Sequence, residues 1–315
     1  MSQNYAIALE EYPMEWIVKL CGAQDQNLEI LRKAFACEMI MRNNQLSVLC
    51  DDKTTFATIE EIIKAIFQMM EQHLDVQPRD IEYVCRLAKL HRLHELSLTY
   101  QKPIGKTVNG KLIYPKTIGQ RYLFQCMCKS EIVFASGVAG TGKTYLAVVY
   151  AASLLKKGEI RKIILTRPAV EAGENLGFLP GDLKEKVDPY LRPLYDALYD
   201  TLGQEQVEKL LEKEVIEIAP LAYMRGRTLD NAFIILDEAQ NTTRAQMKMF
   251  LTRMGFHSRI VITGDVTQID LIKKKDSGLL NAKQLLEGIE GISFVELPSL
   301  DVVRNQLVQT IIERY

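Results

Sequence analysis

The chain has 315 residues, 47% of them apolar and 25% charged, with a formal net charge of −1. That is enough apolar chain for two domains with a core each, and a charge near zero excludes a protein that coats nucleic acid over its whole surface, so a basic site has to be local. No charged-then-apolar leader opens the chain, no apolar run reaches the ~18 residues that cross a bilayer, and the six cysteines are scattered; a cytoplasmic protein with reduced thiols and no membrane partner is expected.

Residues 1–95 read as a small α+β domain. Residues 16–20 suit a strand, 28–35 a helix, and 39–41 and 46–49 two strands around an Asn43-Asn44 turn. Ile59, Ile62, Ile63, Ile66, Phe67 and Met70 recur at spacings of three and four, which predicts an amphipathic helix over 58–70. A connecting helix is expected over 80–98. Cys85, His91 and His94 on it are either a partial ligand set or filler.

Residues 96–130 form a basic linker. Lys102, Lys106, Lys111, Lys116, Arg121 and Lys129 occur there with no acidic residue, interleaved with Tyr100, Tyr114 and Tyr122. Asn109-Gly110 between short strand-like arms predicts a type I′ hairpin. The segment is either a platform for single-stranded nucleic acid or a linker whose cations sit near a bound triphosphate.

Over 131–315 strands and helices alternate, which predicts an α/β domain with a parallel sheet and helices on both faces. Strands are expected at 132–135, 162–165, 215–218, 233–236, 259–262 and 293–296, most of them near-continuous apolar runs of the kind buried on both sides. Between the first strand and an alanine-rich helix lie Gly137, Val138, Ala139, Gly140, Thr141, Gly142, Lys143 and Thr144, which fit the G-x-x-x-x-G-K-[ST] phosphate loop of P-loop NTPases. Glycine permits positive φ and close backbone approach, and a helix start presents unpaired N–H groups to an anion. Lys143 would reach the β and γ phosphates of a bound polyphosphate, and the Thr144 hydroxyl would ligate Mg²⁺.

The strand Phe233-Ile-Ile-Leu ends in Asp237-Glu-Ala-Gln240. Asp237 would bind Mg²⁺ through water and Glu238 would activate the attacking water. Val261-Ile-Thr-Gly-Asp-Val-Thr-Gln268 puts polar residues at another strand end, where Gln268 would sense the γ-phosphate and Asp265 would position it or the metal. Gln120, one helix length before the loop, has the donors and acceptor suited to an adenine edge. Thr243 and Gln246 have capping-box spacing. Residues 170–199 form a long glycine- and proline-containing connection of the kind that is commonly functional.

The strand-helix-hairpin-helix order of 1–95 resembles small RNA-binding modules of KH type, without their G-x-x-G clamp. Asp-Glu-Ala-Gln, Gly-Asp-x-x-Gln and Gln120 together resemble the first RecA-type domain of superfamily 1 helicases. In those helicases the side equivalent to 170–199 faces the nucleic-acid strand, so the resemblance implies RNA contacts through Arg167, Lys184, Lys186 and Arg192, and the alternative is a subunit interface. Residues 166–181, 222–228 and the Asp301-Val-Val-Arg304 stretch resemble the PhoH family over 105–315. The resemblance implies a RecA-like ATPase using ATP and Mg²⁺, linked to RNA metabolism and to a YbeY-type endoribonuclease, and assembled as a homo-oligomeric ring. A second RecA domain is expected to be missing, so a neighbouring copy would supply an arginine from Arg225, Arg227 or Arg304, with Arg304 at the helicase-like position. Three activities compete: hydrolysis that rearranges RNA or a ribonuclease complex, a nucleotide-gated adaptor for an endoribonuclease, and phosphoryl transfer to a small molecule. The Asp237-Glu238 pair argues against the last.

Overall fold

The computed structural model describes residues 3–72, 76–98, 102–168, 183–302 and 314. These fall into two compact units, one built from the described residues up to Lys102 with 116–118, the other from 103–115 and 119–302.

The first unit runs β1 (Gln3–Ala8), α1 (Met14–Cys21), α2 (Gln26–Phe35), β2 (Glu38–Arg42), β3 (Gln45–Cys50), α3 (Lys53–Glu71) and α4 (Pro78–Lys89). Its antiparallel sheet has the order β1-β3-β2. Met39, Leu46 and Val48 are buried while Ile40 and Leu49 are exposed, so side chains alternate between core and outer face with the period of two that a pleated strand dictates. Asn43 and Asn44 both take positive φ, 48° and 57°, as a two-residue I′ turn requires. The Asp52 carboxylate accepts the Thr55 N–H at 2.7 Å and starts α3 at Lys53, five residues ahead of the expected start at 58.

Two expectations fail in this unit. Residues 16–20 are helical within α1, because Ile17 and Leu20 bury one face at a spacing of three, a short-run ambiguity that periodicity alone does not settle. The sheet's other edge is instead β1, giving the order strand-helix-helix-hairpin-helix. The 80–98 helix stops at Lys89: His91 turns left-handed at φ 55°, and Leu93–Leu98 is a 3₁₀ turn. Among the described residues no three His, Cys, Asp or Glu side chains gather to hold a metal, so Cys85, His91 and His94 form no ligand set.

The second unit contains β4 (Gly105–Lys106), β5 (Leu112–Ile113), α5 (Ile118–Lys129, from Gly119 on), β6 (Ile132–Gly137), α6 (Lys143–Lys157), β7 (Lys162–Arg167), α7 (Leu183–Leu202), α8 (Gln204–Glu212), β8 (Ile216–Pro220), β9 (Ala232–Leu236), α9 (Arg244–Leu251), β10 (Arg259–Gly264), α10 (Gly278–Leu286) and β11 (Ile292–Leu297). The β4–β5 hairpin departs from the expected I′ turn. Gly110 alone is left-handed (φ 81°) while Asn109 is not, and Thr107 N–H bonds Lys111 O at 2.9 Å, which makes a three-residue loop with a glycine bulge.

All six expected strands join one parallel sheet of order β11-β6-β10-β9-β7-β8. Val133, Leu165, Phe233, Ile235 and Val261 pack on one side with Leu146, Ala147 and Leu198 of α6 and α7. Phe134, Ile164, Ile234 and Ile262 pack on the other with Met247, Phe250 and Leu279 of α9 and α10. Each such aromatic or branched side chain contributes on the order of 1.5–3 kcal/mol by leaving water. No helix among the described residues is long and apolar enough to cross a membrane.

Parallel strands bring every carboxyl end to one edge. From β6 the chain crosses to β7, returns through β9 and β10, and then crosses to β11 on the far side of β6. The connections after β6 and β10 therefore leave in opposite directions, which opens the crevice where α/β sheets bind ligands.

Candidate nucleotide site

The loop from Gly137 to Gly142 fills that crevice. Gly137 has φ 150°, and a Cβ there would lie 2.3 Å from the Leu297 carbonyl oxygen; Gly140 and Gly142 are left-handed at 88° and 81°. A side chain at these positions would strain the turn or collide, which explains the glycine pattern. α6 starts at Lys143 directly after Gly142, so its first amide groups face the space inside the loop.

Lys143 is buried, and its ammonium donates to the carbonyl oxygens of Gly137 and Val138 at 2.5 and 2.9 Å. Thr141 Oγ1 donates to Val138 O at 2.9 Å. Gln120 is buried on α5, and its Nε2 donates to Thr141 O at 2.9 Å, so the structure brings it against the phosphate loop. Gly119, just before it, packs on Asp301 so closely that a Cβ would sit 2.0 Å from Oδ2.

The carboxylates arrive from two other strands. Asp237, one residue past β9, is buried, and its Oδ1 accepts the hydroxyls of Thr144 and Thr263, each at 2.7 Å. Thr263 was not singled out in the sequence; the signal is a hydroxyl in an otherwise apolar β10, immediately before Gly264-Asp265. Asp265 Oδ2 accepts the Ala139 N–H at 3.0 Å and its Oδ1 accepts Thr267 N–H at 2.9 Å, so Asp265 braces the phosphate loop. One carboxylate and a hydroxyl beside a phosphate loop fit Mg²⁺, which keeps several waters and completes its shell with substrate phosphates.

Glu238 has φ 52°, and its half-buried carboxylate lies 3.5 Å from Arg167 and accepts Gln240 Nε2 at 2.5 Å. Gln240, the last residue of Asp-Glu-Ala-Gln, had no role assigned from sequence. It is buried and joins three elements: besides Glu238, its Nε2 reaches Gln268 O at 3.2 Å and its Oε1 accepts Asp265 N–H at 3.0 Å. Gln268 itself is exposed and enters this network through its backbone. Thr243 and Gln246 cap α9 reciprocally.

Of the arginines, Arg227 is held by both oxygens of Glu217, at 2.5 and 2.6 Å, and these hydrogen bonds raise its pKa further. Arg225 is exposed. Arg304 lies outside the described residues, as do residues 170–182 of the 170–199 connection, whose remainder belongs to α7. Arg167 pairs with Glu238, Arg192 is exposed, and the side chains of Lys184 and Lys186 are not among those described.

A family model described as PhoH-like protein matches residues 112–315. A PhoH-like protein of Bacillus subtilis is 54% identical over 95% of this chain and 93% of its own length. One from Synechocystis is 44% identical over 100% of this chain and 95% of its own. Protein PhoH of Escherichia coli is 44% identical over 64% of this chain and 58% of its own length.

Proposed function

Because the chain belongs to the PhoH-like protein family, with its P-loop ATPase fold, we propose that it uses Mg²⁺ and ATP hydrolysis to drive rearrangement of RNA or of a ribonuclease complex. One observation carries the reading: Asp237 Oδ1 accepts hydroxyls from both Thr144 and Thr263, so the phosphate-loop helix, β9 and β10 meet at a single carboxylate. The loop amides and Lys143 bind phosphate oxygens, for which the ammonium exchanges its present carbonyl partners. Thr144 and Asp237 hold Mg²⁺, which when bound neutralises phosphate charge. Gln120 braces the loop and takes the adenine edge.

Glu238 is the base. Its left-handed backbone turns the carboxylate off the strand axis, and Arg167 and Gln240 fix its direction. It takes the proton of the attacking water, leaving Asp237 ionised beside the metal. A ring of identical chains completes the site with an arginine from a neighbour. Arg225 suits that task better than Arg227, whose fork is already filled by Glu217.

ATP hydrolysis measured with and without single-stranded RNA, in the wild type and in Glu238→Gln, tests the reading. RNA-stimulated turnover that the variant loses is the expected result. Slow turnover indifferent to RNA would leave a nucleotide-gated adaptor instead.

A further inference from the structure

The segment between β10 and α10 carries an exposed tip. Ile272 is fully exposed, and Lys273, Lys274 and Lys275 follow it, all exposed. Among the described residues no carboxylate lies within ion-pair distance of these three lysines. Elsewhere Lys19, Lys64 and Lys209 each pair with a glutamate four residues before them. Arg244 of α9, also exposed, donates to Lys275 O at 2.9 Å and adds a fourth cation to the same tip. Contiguous charges without counterions repel one another, and a polyanion relieves that repulsion.

The base of this tip is tied to the turn that follows Glu238. Asn241 Nδ2 donates to Asp270 Oδ2 at 3.1 Å, and Asp270 N–H donates back to Asn241 Oδ1 at 2.9 Å. Ser277 Oγ donates to Gln240 O at 2.8 Å, and Gln240 Nε2 reaches both Gln268 O and Glu238. One buried side chain, Gln240, thus joins the base of the tip to the carboxylate of Glu238.

We infer that Lys273, Lys274, Lys275 and Arg244 form a contact for the phosphate backbone of single-stranded RNA, with Ile272 offering apolar surface to a base, and that Gln240 relays occupancy of this contact to Glu238. The inference rests on the RNA reading above. It places the contact on a short loop that the sequence reading left unassigned, rather than on Arg167, which faces Glu238.

Binding of a fluorescent 20-mer oligouridylate to the full chain, measured across a salt series, decides it. In the Lys273→Ala, Lys274→Ala, Lys275→Ala triple variant the log–log salt slope should fall by about 2, from ~0.7 per phosphate contact on a single strand. The ratio of ATP turnover with RNA to turnover without it should fall with it. The corresponding triple arginine variant should restore both, since charge at these positions is what counts. A wild type that binds with an unchanged slope in the alanine variant overturns this assignment alone. A wild type that binds no oligouridylate overturns the RNA reading as well.

Discussion

The two sheets of this protein treat neighbouring residues differently. In the three-stranded sheet Val48 is buried and Leu49 is exposed; in the six-stranded sheet Phe233, Ile234, Ile235 and Leu236 are all buried in succession. The first sheet has one covered face, the second two. A polar side chain in the doubly covered sheet would have to lose water without a partner, so the polar residues collect at the carboxyl ends, where Asp237 accepts the Thr263 hydroxyl and Asp265 accepts the Ala139 and Thr267 amides. The site exists where it does because that edge is where the covered sheet first admits charge.

That contrast can be broken in several places. Glu238→Gln should lower ATP turnover by ~10²–10⁴ while leaving ATP binding intact, the loss expected for a general base; turnover within a few-fold of wild type would remove Glu238 from the chemistry. Next in size, Ile234→Ala and Ile235→Ala should each cost ~2–5 kcal/mol, because both faces of β9 are packed, whereas in β3 Leu46→Ala should cost that much and Leu49→Ala no more than ~0.5 kcal/mol. Urea denaturation of the four variants compares the sheets directly, and a large loss for Leu49→Ala would mean that its face is covered in solution.

Gly119→Ala should cost ~1–3 kcal/mol through overpacking on Asp301. It should also weaken ATP binding by displacing Gln120, whereas Gly158→Ala, at a helix end with open space, should leave ATP binding unchanged. The smallest effect lies in the first unit. The N-cap hydrogen bond from Thr55 holds the Asp52 carboxyl down at about 2, against an ordinary 3.8. A lowered folded value means that the stabilisation is full above about pH 4 and is lost as pH falls through 2. Asp52→Ala should remove that part of the acid unfolding profile, measured by helix content between pH 5 and 2.

Much of the nucleotide site was legible because its residues are local to strand ends. Gly137 to Thr144 and Asp237-Glu238 each follow an apolar run, and the run fixes where the polar residues emerge. Gln240 was not legible, since a glutamine after Asp-Glu-Ala has no pattern of its own; its role depends on Asp265 and Gln268, 25 and 28 residues further on. Residues 16–20 misled for a related reason. Five residues carry too little periodicity to separate a strand from a helix, and the packing of Ile17 and Leu20 decides.

The sequence by itself determined the six buried strands, the phosphate loop and the acid pair, because apolar runs, obligatory glycines and a helix start act over neighbouring residues. Only the tertiary structure decided that β10 lies between β6 and β9, which is what lets Thr263 share the Asp237 oxygen with Thr144 and lets Asp265 reach Ala139. Strand order is set by how the crossing helices cover the sheet, a property of the whole unit that no short stretch of residues encodes.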